Sequence, residues 1–134
     1  MKYFLYCLFF LSLGITSYAQ KGDYVFTMEM MHTTPVMTIT TLKTFACSNY
    51  GIYIRQGWSR DTLTINILGI DSRRNCNNVI DKAREMIEIN GIREKEFVLR
   101  ILNEQKVNFF RVEFDGDSFS ISPERSDFIR AVTN

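Results

Sequence analysis

The sequence predicts an α+β fold: a mostly antiparallel sheet of about six to seven strands packed on one main helix, about residues 73–90, with a short helix at the C-terminus. Three observations predict it. The chain before residue 72 alternates apolar and polar residues with period two, the signature of half-buried strands. From Cys76 the apolar positions change to spacings of three, four and seven, one stripe on a helix. Beyond residue 96 the alternation returns, interrupted by turn residues.

The first residues, MKYFLYCLFFLSLGITSYAQ, stand apart from this pattern. Lys2 is followed by an apolar run from Tyr3 to Leu13, and Ser17-Tyr18-Ala19 is a small-x-small cleavage pattern. Residues 1–19 are therefore expected to be a signal peptide cleaved after Ala19. The run is too short for a bilayer, which takes about 20 apolar residues. Cys7 lies inside it rather than at the cleavage point. Residues 20–134 are expected to form a single α+β domain, of the usual size of about 100–150 residues, exported to the periplasm or secreted. No second apolar segment is long enough to predict a membrane span in the mature chain.

In "YVFTMEMM", Phe26, Met28 and Met30 fall on one face and Thr27 and Glu29 on the other, a first strand. "HTTP" breaks it. "VMTITTLKTFAC" is β-branched and threonine-rich, a second strand whose alternation slips near Thr40-Thr41 and predicts a bulge there. Phe45 and Cys47 share its inward phase. "IYIRQ" and "TLTINILGI" are third and fourth strands, joined by a turn in "GWSRD". The helix then carries Cys76, Val79, Ile80, Ala83, Met86 and Ile87 on one stripe. Ser72 caps its start and Asn90-Gly91 stops it in the left-handed region. "EFVLRIL" fits a strand or a helical stripe; a hairpin into "VNFFRVEF" favours the strand. Asp115-Gly116 predicts a tight hairpin turn with positive φ at both central residues. Ser122-Pro123-Glu124 predicts the start of the terminal helix, with proline at its first position and Phe128 and Ile129 docked on the core.

The charge balance, 16 Lys and Arg against 15 Asp and Glu, gives no basic face of the kind nucleic acid requires. Cys47 and Cys76, in an exported chain, predict a disulfide. The loop closed would be about 30 residues, worth roughly 3–4 kcal/mol by chain entropy. Two buried free thiols, or a reactive Cys76 activated by a helix N-terminus beside Arg73 and Arg74, are the alternatives. His32 is the single histidine, so a Cys or Ser hydrolase would have to use it as base. One histidine and two paired cysteines are too few for a structural zinc site. "DGD" supplies two side chains where calcium takes six or more oxygens. The sequence thus indicates no metal and no cofactor.

The stretch "NYGIYIRQGWSRD" concentrates the residue types of binding hot spots: Tyr50, Tyr53, Arg55, Trp58 and Arg60. Trp58, next to Gly57 at an expected hairpin tip, is either exposed for a ligand or folded back over the sheet end. Met28, Met30, Met31 and Met37 either line an adaptable pocket or fill the core. The function expected is a small exported, non-catalytic binding or interaction protein, with a protein, small-molecule or glycan ligand. Two other classes remain: a secreted hydrolase or thiol enzyme using Cys76 or His32, and a subunit of an envelope or extracellular assembly pairing through the "TITTLKT" edge.

Overall fold

Tyr24–Met31 forms strand β1, in which Tyr24, Phe26 and Met28 point inward as their spacing dictates. The computed structural model describes residues 23–72 and 75–132, so the expected signal peptide lies outside the described residues. Eight further strands follow: β2 (Thr34–Phe45), β3 (Gly51–Ser59), β4 (Thr62–Asp71), β5 (Asp81–Glu88), β6 (Glu96–Asn103), β7 (Lys106–Phe114), β8 (Phe119–Arg125) and β9 (Ile129–Ala131). They make two sheets, ordered β5-β2-β1-β9 and β3-β4-β6-β7-β8. Successive strands alternate in direction. Neighbours are antiparallel except β1 with β9 and β4 with β6, which are parallel.

The sheets face each other across one core. Phe26 of β1 meets Phe110 of β7 edge to face at 4.9 Å. Leu63, Ile65, Leu99 and Ile101 of the second sheet and Met37 and Ile39 of the first are fully buried between them. Met28 and Met37 belong to this core, whereas Met31 is exposed.

This all-β architecture corrects the predicted α+β class: among the described residues there is no helix. From residue 75 on, the segment expected as the main helix is an irregular connection followed by β5. Ala83 and Ile87 are four apart, so they share a face in a helix and in a strand alike. The residues that distinguish the two periods, Val79, Ile80 and Met86, are all exposed, so the apparent stripe has no buried counterpart. What decides is the ladder: β2 has a second edge, and β5 fills it from Val36↔Glu88 to Phe45↔Asp81. Tertiary pairing overrides local helix propensity. It also places "TITTLKT" inside the sheet, between β1 and β5, rather than at an edge. The predicted bulge is there, as a register shift between Thr40 and Thr44. Thr41 is buried in it, and its hydroxyl accepts from Ala83 N–H at 3.0 Å and donates to Lys43 O at 2.8 Å.

The predicted C-terminal helix is likewise strand. Pro123 sits on β8, the outer edge of its sheet, where a missing N–H removes no ladder bond. Phe128 and Ile129 are buried as expected, but on β9 and its approach. That approach is held by Asn108, a fully buried side chain on β7. Its Oδ1 accepts the backbone N–H groups of Asp127, Phe128 and Ile129 at 2.9, 3.1 and 3.1 Å.

Strand alternation sorts the connections to two ends. One end carries the β2–β3 and β4–β5 links, the β6–β7 turn and the β8–β9 link. The other carries the β1–β2, β3–β4 and β7–β8 turns and the β5–β6 loop. At the first end Cys47 and Cys76 are disulfide-bonded. Cys47 is buried as its phase required, but Cys76 is exposed on an irregular segment rather than turned inward on a helix. The bond ties two links together instead of stapling a helix to a sheet.

Candidate functional site

At the opposite end, β3 and β4 join through a two-residue turn, Arg60-Asp61, since Ser59 pairs with Thr62. Arg60 adopts φ 55°, the left-handed region that a two-residue hairpin demands at its first position. The turn is tethered to the next strand by Val98 N–H donating to Asp61 O at 2.9 Å. Trp58 is not at this tip. It lies on β3, in phase with the inward Ile52 and Ile54, and is half-buried. Its indole N–H donates to Asn90 O at 2.6 Å, and its ring stands edge to face against Phe97 at 5.2 Å.

Gly91 makes that position possible. Its φ is 83°, and a Cβ there would come within 3.3 Å of Trp58 Nε1 and 3.4 Å of Cδ1. Only glycine combines the left-handed backbone with this close approach of the ring. Past Gly91 the loop runs through Arg93 and Glu94 to β6. Trp58, Phe97 and Gly91 therefore form the floor of a cleft of about 330 Å³, with Arg60 and Asp61 on one wall and Arg93 and Glu94 on the other.

The four wall charges make no ion pair among the described residues. Elsewhere on the surface opposite charges do meet: Lys106 with Asp23 at 3.3 Å, Arg125 with Asp127 at 3.4 Å, and Arg111 with both Glu96 and Glu124. The Arg111 guanidinium is held even more firmly protonated by the hydrogen bonds it donates to Glu96 and then to Glu124. The cleft thus combines an aromatic floor with exposed charges of both signs that form no ion pair among the described residues. Such a lining can stack, bury apolar atoms and fork a carboxylate with a guanidinium. It contains no histidine, serine or cysteine.

Of the five expected binding residues, only Trp58 and Arg60 come together here. Tyr50 lies at the disulfide end, tilted against Phe45 at 5.7 Å, and its carbonyl accepts from Arg84 N–H at 3.2 Å. Tyr53 and Arg55 occupy the alternate positions of β3, on the outer face of the second sheet. A strand of nine residues extends about 30 Å, so a stretch continuous in sequence is divided in space. The residues sequence reasoning missed are Gly91, Arg93, Glu94 and Phe97, more than thirty positions downstream. Asn90-Gly91 was the available signal, but read as a helix stop it pointed away from Trp58.

The disulfide occupies the Cys76 sulfur. His32 sits in the β1–β2 turn with φ 58°, at the end away from Cys76. The twelve residues of β2 separate the two ends by about 40 Å.

A larger cleft, about 650 Å³, opens at the disulfide end between Asp23, Tyr24, Thr41, Leu42, Lys43, Phe45 and Ile70. Its charges are already engaged. Asp23 is paired with Lys106, and Lys43 lies over the Phe45 ring at 5.6 Å. Burial, and then the Asp23 charge, push the Tyr24 hydroxyl up, so it stays protonated. No helix among the described residues is long and apolar enough to cross a membrane. Comparison of the chain with protein-family models, with curated proteins and with solved structures finds no match.

Proposed function

We propose that this is an exported, non-catalytic binding protein whose ligand is held in the Trp58 cleft. The observation that carries the reading is the anchored indole. Trp58 is fixed from two sides, by Asn90 O and by Phe97, yet remains partly exposed beside four charges that make no ion pair among the described residues. An aromatic surface ordered before the ligand arrives costs little side-chain entropy on binding. Trp and Arg are also the residue types that dominate binding energies. The absence of a nucleophile–base pair from the lining favours binding over the hydrolase reading. The Cys47–Cys76 bond supports an oxidising destination, in keeping with the leader expected over residues 1–19.

Trp58 is the single tryptophan, so selectively excited tryptophan fluorescence reports on this site alone. Titration with a panel of short peptides and oligosaccharides is expected to give a saturable change. Arg93→Ala is expected to weaken it at least about fivefold, the cost of losing a hot-spot side chain, at unchanged thermal stability. A panel that leaves Trp58 fluorescence untouched, or binding indifferent to Arg93→Ala, refutes the reading.

A further inference from the structure

We infer that the ligand of the Trp58 cleft is a zwitterion of the short-peptide type, with a carboxylate and an ammonium on either side of an apolar middle; this rests on the cleft being the binding site. Each wall carries one cation beside one anion, Arg60 with Asp61 on the β3–β4 turn and Arg93 with Glu94 on the β5–β6 loop. Their net charge is zero, so the cleft exerts no overall pull on a simple anion or cation. An anion drawn to Arg60 or Arg93 meets Asp61 or Glu94 one residue away, and a cation meets the reverse. A ligand bearing both signs satisfies both walls at once.

The contrast with the neighbouring surface sharpens this. Glu96, two residues beyond Glu94, is already bound by Arg111, which also holds Glu124. Among the described residues the Asp61 carboxylate accepts only a 3.3 Å hydrogen bond from the Thr62 hydroxyl. Arg60, Arg93 and Glu94 have no hydrogen-bonded partner among the described residues. The guanidinium fork matches a carboxylate bidentately, and a carboxylate wall accepts from an ammonium. Between them the partly exposed Trp58 ring, backed by the buried Phe97, offers apolar surface for a side chain. The volume, about 330 Å³, lies at the lower end of small-molecule sites, roughly 300–1,000 Å³, the scale of a di- or tripeptide.

The test is fluorescence titration of the full mature chain with four forms of one dipeptide, alanyl-phenylalanine: free, N-acetylated, C-amidated and blocked at both ends, with a neutral oligosaccharide alongside. The free form is expected to bind tightest. Each single block is expected to weaken binding about tenfold, a charge-assisted hydrogen bond discounted for an open site. Arg93→Gln should erase the discrimination against the amide, and Glu94→Gln the discrimination against the acetyl form. Blocked and free dipeptide binding equally overturns the inference and leaves the cleft as the site. Saturation by the oligosaccharide with no response to any dipeptide does the same. Silence from all five probes removes both the inference and the proposed site.

Discussion

The two ends of the sandwich are held by different physics. At the disulfide end the constraint is covalent and polar. Cys47–Cys76 joins the β2–β3 and β4–β5 links, and Asn77 spans the same gap, its Oδ1 accepting from Ser48 N–H at 3.0 Å and its amide donating to the Ser48 hydroxyl. Asn108 pins the β8–β9 link beside them. At the cleft end no disulfide occurs among the described residues. An indole leans on a carbonyl, turns close over two or four residues, and four charges make no ion pair among the described residues. A scaffold braced at one end can carry exposed charges without ion-pair partners at the other, as loops on rigid scaffolds do.

Removing the Asn108 amide should test that contrast hardest. Asn108→Ala leaves three N–H groups without their acceptor, two of them in buried hydrogen bonds. At about 1–3 kcal/mol for each unsatisfied group, with some rehydration of the link, a loss of about 3–5 kcal/mol is expected in denaturant unfolding. A loss under about 1 kcal/mol would show that the β8–β9 link does not need the pin. The oxygen assignment is secure on chemical grounds: three donors converge, so the acceptor atom must face them.

Opening the disulfide comes next. The double variant Cys47→Ala, Cys76→Ala releases a loop whose ends are 29 positions apart. About 3–4 kcal/mol is expected by chain entropy, read as a shift in denaturant midpoint. The same variant should leave Trp58 fluorescence in the folded state unchanged, because the cleft lies at the far end. A shifted spectrum at native conditions would mean the two ends are coupled.

The strands were legible where burial was one-sided. β1, β4 and β7 show clean alternation, and β6 resolves in its favour, with Phe97, Leu99 and Ile101 buried. The bulge at Thr40-Thr41 was legible because a slip in period is a local signal. The disulfide followed from cysteine count and the expected compartment, although the exposed position of Cys76 did not. β5 was not legible, because Ala83 and Ile87 fit both periods and the pairing partner that decides between them is β2, some 45 positions upstream. The site was half legible for the same reason. Trp58 and Arg60 could be picked by residue type, but their partners are fixed by a loop whose position depends on β5 being a strand. The Asp115-Gly116 hairpin was found, but its turn was not. Gly116 has φ 103° and Asp115 is not in the left-handed region. The strands close at Phe114↔Phe119 around a four-residue loop.

The gentlest probe of the comparison lies in that loop, at the cleft end. Asp115 Oδ1 accepts the backbone N–H groups of Asp117 and Ser118, each at 2.8 Å, and Oδ2 accepts from the Ser118 hydroxyl at 3.1 Å. These bonds favour the ionised form, the two backbone donors most, so the carboxyl titrates below its ordinary range. A carboxylate with a depressed folded pKa stabilises the protein above its unfolded pKa, about pH 4. That contribution fades as pH falls through the folded value. The side chain is fully exposed, so the effect is small and screened by salt. An NMR titration should place the Asp115 midpoint below that of an ordinary aspartate. In Asp115→Asn the amide oxygen can still accept from the turn, but the part of the acid destabilisation due to this group should vanish. A midpoint at the ordinary value would mean that the turn does not organise its own carboxylate. The cleft end would then lack even the local hydrogen-bonded order that separates a held loop from a loose one.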